Sequence, residues 1–282
     1  MPRLGISGDA ISPFAVLSLE DAPERHRLRS ENYAKAKFLQ KPLPFPGIPS
    51  QMPKRLRIGY FSADFKEHPA SYLMFKIIEC HDRSLFDVYG YSIGQPKLDK
   101  MREKISGAFD VFKDIHSSSD IEALKTIHND KIDIAIDLGG FTKKARTEVF
   151  AMSVAPIQLS YIGYLGTLGA NYYDYLIADQ IMIPKDYQKY FLEKIIYLPS
   201  FQVNDSKEKQ PDIVLTRAEI GLPKDSFVFC CFNNTYKITP AVLDLWTPIL
   251  KSVTDSVLLL VADNEIARSN LIKEFNHRGI EA

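Results

Sequence analysis

Asp64 and His68 stand four residues apart in S-A-D-F-K-E-H-P, directly after the apolar run LRIGYF and before a helical pattern. A carboxylate so near an imidazole can orient the ring or raise its basicity, with Pro69 restricting the chain beside it. The alternative is that Asp64 caps the following helix and His68 lies on the surface. A second segment, D-L-G-G-F-T-K at 137–143, ends another apolar run. Its paired glycines allow close backbone approach, and Thr142 and Lys143 offer donors; a plain tight turn is the competing reading. The third segment is Y-I-G-Y-L-G-T-L-G at 161–169, with three glycines spaced by three. It has neither the G-x-x-x-x-G-K-[ST] of a phosphate loop nor an acidic ribose partner at the spacing of a dinucleotide site. In the fourth, F-N-N-T-Y-K at 232–237, Lys237 precedes a helix start. A lysine there suits a diphosphate, because the ammonium and the helix dipole both stabilise negative charge.

These segments need strand ends to hold them. From Arg55 onward, short apolar runs (LRIGYFS, FDVYGYSI, FDVFKDI, IDIAIDLGG, PIQLSYIGY, YLIAD, EKIIYLP) alternate with helical patterns over 72–81, 98–108 and 121–129. Strands that are apolar on both faces and separated by helices predict parallel βαβ units and a doubly wound α/β domain. Ligands in such domains sit outside the carboxyl ends of the strands, where all four segments fall. The organisation read this way is a helical appendage with a proline-rich linker at 1–54, a complete Rossmann-like domain at 55–204, and a linker with a partial second one at 205–282. The appendage carries apolar positions at Leu28, Tyr33, Ala36 and Phe38, and KPLPFPGIPSQMPK holds five prolines. The second domain starts FVFCCFN, caps its helix with Thr239-Pro240, and continues SVLLLVA; two strands and two helices leave a sheet edge to be covered.

Composition narrows the partners. Thirty-five basic and thirty-five acidic residues give no net charge, so no overall field favours nucleic acid or an anionic membrane. No stretch reaches the roughly 20 apolar residues of a membrane span. Cys80, Cys230 and Cys231 show no metal-ligand spacing, and the other histidines (His26, His81, His116, His128 and His277) form no i,i+4 pair, so no metal is expected and the reducing cytoplasm is.

LRIGYFSADFKEHPASYLM, IDIAIDLGGFTKKARTEVFA, APIQLSYIGYLGTLGANYYDYLIADQ, EKIIYLPS and FNNTYKITPAVLDLWTPIL resemble, in order and spacing, the catalytic region of the protein O-GlcNAc transferases and their Spindly-type relatives. The resemblance implies a GT-B-like architecture and inverting sugar transfer from a nucleotide sugar to Ser/Thr hydroxyls of a protein acceptor, with no metal or other cofactor. It assigns His68 as base or cleft organiser with Asp64 beside it, and Thr142, Lys143, Ile162 and Gly163 to the sugar and acceptor cleft. Lys237 corresponds to the lysine that stabilises the leaving diphosphate. Asn234 stands where the family usually has glutamine, and Leu165 where it usually has proline. The family's later H-T-T segment and its preceding tetratricopeptide repeats have no counterpart here, so a C-terminally cut catalytic region is expected. UDP-GlcNAc is the expected donor. A Spindly-type O-fucosyltransferase and a catalytically incomplete remnant or binding module remain open.

Overall fold

The computed structural model describes residues 3–38, 53–203, 205, 207, 213–262 and 264–281. The proline-rich linker and most of the polar stretch at 204–212 lie outside them. The chain divides into two compact units, Met1–Leu17 with Asp21–Lys207, and Ser18–Glu20 with Glu208–Ala282.

The first unit is built on seven parallel strands: β1 (Leu56–Ser62), β2 (Phe86–Ser92), β3 (Val111–Asp114), β4 (Ile134–Asp137), β5 (Ile157–Ser160), β6 (Tyr175–Ala178) and β7 (Lys194–Tyr197). Their order is β3-β2-β1-β4-β5-β6-β7. In register, Ile58 faces Val88 on β2 and Ile134 on β4. Alternation along β1 sends Tyr60 to one core, with Met74, Ile78 and Phe109, and Phe61 to the other, with Tyr91, Leu124 and Phe150. Burying a side chain of this size stabilises the fold by roughly 1.5–3 kcal/mol, so both faces of the sheet must be covered. The covering helices include α2 (Pro69–Glu79), α3 (Lys100–Ser106), α4 (Asp120–Asp130) and α5 (Thr147–Ala151). Sequence sets their starts: Asp99 caps α3, and Ser119 with Glu122 forms a reciprocal capping box on α4. His81 and His128 bond the Tyr60 hydroxyl and the Ser153 carbonyl, at 2.8 and 2.9 Å, which are structural roles.

The N-terminal segment packs within this unit. In α1 (Pro23–Lys37) the buried face is Arg29, Ser30 and Ala34, while Leu28 and Ala36 are exposed. Arg29 is 1% exposed and donates to the Leu4 carbonyl at 2.7 Å. Polar residues thus make part of the helix's packing face, which an apolar period cannot reveal.

The second unit pairs β8 (Phe227–Cys231) in parallel with β9 (Ser256–Leu260), beside α6 (Pro240–Ser252) and α7 (Glu265–His277). Thr239 caps α6 and Pro240 occupies its first turn, as the sequence predicts. Phe227, Phe232 and Val261 are exposed.

Candidate functional site

Between β1 and β4 the strand order reverses direction, the switch point where open α/β sheets bind ligands. The loop after β1 is anchored there by Phe65, which is buried among Met101, Ile105 and Phe109. Ser71 Oγ donates to the Asp64 carbonyl at 2.6 Å, Lys66 N to Ser71 Oγ at 3.2 Å, and Glu67 N to the Asp99 carboxylate at 3.0 Å. Loop, α2 and α3 are thereby tied together.

On this frame the carboxylate of Asp64 meets two basic groups, Lys66 Nζ at 3.2 Å and His68 Nε2 at 3.8 Å. The helix cap is His68, not Asp64: its Nδ1 accepts the Ala70 amide at 3.2 Å. With Nδ1 used as an acceptor, the neutral imidazole carries its proton on Nε2, the nitrogen facing Asp64. Sequence spacing identifies the pair, but gives no sign of Lys66 as a third member.

The next strand end holds a carboxylate that the sequence marks only as the start of a turn. Asp137 is 2% exposed and accepts the Gly139 and Gly140 amides at 2.8 and 3.1 Å and the Tyr173 hydroxyl at 2.5 Å. Burial pushes its carboxyl above the usual range, and the three bonds oppose that shift. A carboxylate closing a strand before Gly-Gly is the signal that could have revealed this knot. Its turn presents Thr142, whose hydroxyl donates to the Gly139 carbonyl at 2.8 Å, and the exposed Lys143. Ile162 and Gly163 follow β5 and press onto the same turn: a Cβ on Gly163 would stand 2.0 Å from the Leu138 carbonyl oxygen. Ile162 adopts φ +65°, a conformation a β-branched residue holds only when its surroundings enforce it. Asp64, His68, Thr142, Lys143, Ile162 and Gly163 are therefore grouped on the ends of β1, β4 and β5, stitched by backbone bonds such as Leu138 N to Phe61 O at 2.9 Å.

In the second unit, Lys237 ends a short 3-10 turn (Thr235–Lys237) after β8. Its ammonium donates to Asn233 Oδ1 at 3.3 Å, a partner that spacing alone does not distinguish from Asn234. Asn234 starts the turn and, like Lys237, is exposed.

These motifs coincide with a family pattern that spans residues 32–212 and 202–282. The chain belongs to glycosyl transferase family 41. Within family 41, it is 42% identical over 214 residues to the probable UDP-N-acetylglucosamine–peptide N-acetylglucosaminyltransferase SEC of Arabidopsis thaliana, covering 74% of this chain and 22% of that protein. The Caenorhabditis elegans UDP-N-acetylglucosamine–peptide N-acetylglucosaminyltransferase is 33% identical, covering 78% and 19%. A mutant of the Thermobaculum terrenum O-GlcNAc transferase superposes with a TM-score of 0.83 at 27% identity, over 95% of this chain and 51% of that one. The α/β, GT-B-like fold class expected from the sequence is thus borne out. The chain spans about a fifth of the length of the curated family 41 relatives it matches, and among its described residues no helix is long and apolar enough to cross a membrane.

The family 41 site also predicts how His68 divides its roles. His68→Ala should cost about 1 kcal/mol of stability through the lost cap. His68→Asn, which restores a good capping side chain, should melt like the parent while still lacking the imidazole. Thermal denaturation of both variants checks this; equal losses would show that the ring does more than cap α2.

Proposed function

We propose that this family 41 chain carries the acceptor-side groups and the leaving-group lysine of a transferase. The enzyme moves N-acetylglucosamine from UDP-N-acetylglucosamine to Ser/Thr hydroxyls of proteins, inverting the anomeric centre. The observation that carries the reading is the Asp64–His68 pair locked at the switch point, in a chain 42% identical to a peptide N-acetylglucosaminyltransferase. In this reading the acceptor hydroxyl oxygen bonds the anomeric carbon as the bond to the diphosphate oxygen breaks. UDP leaves with the electron pair, and an oxygen of the departing diphosphate takes the proton that the hydroxyl releases. Lys237 meets the charge that develops on the diphosphate, so no metal ion or other cofactor is called for. Asn234 lies on the same turn and serves the donor.

His68 acts as an organiser of the acceptor rather than as its base, because Nδ1 is committed to Ala70 and Nε2 carries the proton. Asp64 holds that ring, while Thr142, Lys143, Ile162 and Gly163 shape the sugar and acceptor side. Incubation of the native protein with UDP-N-acetylglucosamine and a Ser/Thr peptide tests the reading: the peptide should gain one N-acetylhexosamine residue. A peptide that gains a fucose residue from a nucleotide-activated fucose in its place would replace this reading with the Spindly-type one.

A further inference from the structure

The turn after β4 has a second face, contiguous with the acceptor side through Thr142 and Lys143. Gly140–Ala145 and the end of α1 enclose a recess of about 460 Å³. Its apolar wall is an aromatic trio: Phe38 stacks on Phe141 at 5.9 Å between centroids, and Tyr33 meets Phe141 edge-on at 5.1 Å. Around it stand Lys37, Lys143 and Lys144, all exposed. Among the described residues none of the three pairs with a carboxylate. Glu148 is the single acidic side chain on the lining, so three positive charges face one negative. Lys144 also sits at φ +70°, a left-handed backbone that lysine rarely adopts and that turns its side chain out of the regular run.

Several basic side chains elsewhere on this unit have carboxylate partners, among them Lys66 with Asp64, Lys113 with Asp130, and Arg102 with Asp114; what sets the recess apart is that its three lysines cluster around one apolar wall. A neutral protein that leaves three lysines unmatched around one apolar recess, contiguous with its acceptor-side turn, has a local field for an anionic ligand. Phosphate alone would leave the aromatic wall idle. A peptide segment that joins acidic side chains to an apolar one satisfies both.

We infer that this recess selects protein acceptors carrying acidic residues near the modified hydroxyl, with Lys37, Lys143 and Lys144 receiving the carboxylates and Tyr33, Phe38 and Phe141 an apolar side chain. The inference rests on the transferase reading for the word acceptor, but binding tests it without turnover. Fluorescence anisotropy on the protein would compare a labelled Ser/Thr peptide flanked by Glu and Leu with the same peptide carrying Gln for Glu. The acidic peptide should bind about fivefold to tenfold tighter at low salt, an advantage that fades with added salt. Lys143→Ala with Lys144→Gly should abolish the difference; both sites are exposed, and glycine suits the backbone of residue 144. Phe38→Ala should weaken both peptides equally. Equal binding of the two peptides, no binding of either, or an unchanged difference in the double lysine variant would overturn the inference. An acidic preference without sugar transfer would remove the transferase reading alone, and transfer with no preference would remove this one alone.

Discussion

Lys237→Ala is expected to lower the turnover number of the native protein by about a hundredfold to a thousandfold, the scale of removing one preorganised donor from a developing oxyanion. The ammonium is exposed and, among the described residues, is tethered by Asn233 Oδ1 at 3.3 Å. Its loss leaves no buried group unpaired, so the melting temperature should hardly move. That separation is what makes the variant informative, because lost turnover with unchanged stability and unchanged acceptor KM isolates an interaction made in the transition state. Lys237→Arg keeps the charge but not the compact point donor, and should recover only part of the rate. If Lys237 merely closes the Thr235–Lys237 turn, turnover in both variants will stay near that of the parent.

Gly163→Ala should be the most destabilising single methyl addition at the site. The new Cβ would meet the Leu138 carbonyl oxygen at 2.0 Å and its carbon at 2.9 Å, both backbone atoms of a strand end that cannot swing aside. Overpacking of this kind costs about 3 kcal/mol, which for a unit of this size lowers the melting temperature by roughly 6–12 °C. Gly221→Ala makes the control, since nothing lies within 4 Å of its Cβ, although its φ of +70° adds strain. A melting temperature for Gly163→Ala no lower than that of Gly221→Ala would show that the loops after β4 and β5 are not in close contact.

The parts of this molecule that could be read from sequence are those governed by local pattern. Apolar runs such as LRIGYFS and IDIAIDL mark strands β1 and β4 because a sheet covered on both faces admits little else. The predicted helix at 121–129 is found at Asp120–Asp130, where its Ser119 and Glu122 capping signal lies in the chain itself. The five-residue α5 carries too few turns to show a period. The packing of α1 was hidden for a different reason: its buried face includes Arg29, satisfied by a carbonyl 25 residues away, and long-range hydrogen bonds leave no periodic trace. Residue type and strand-end position are enough to single out Asp64, His68 and Lys237 as candidates. The Asp137–Tyr173 bond joins residues 36 apart in the chain, and Lys66 looked like any loop lysine until the fold set it 3.2 Å from Asp64.

The central claim is that the switch-point loop of the first unit presents an acceptor hydroxyl for inverting transfer, with His68 as organiser. The most direct measurement is the anomeric configuration of the glycosylated peptide by proton NMR, for the native protein and for His68→Asn. The account predicts a product of configuration opposite to that of the donor from the native protein, and strongly reduced formation of the same product from a variant that still folds and caps α2. A product that retains the donor's configuration, or full activity in His68→Asn, would contradict it.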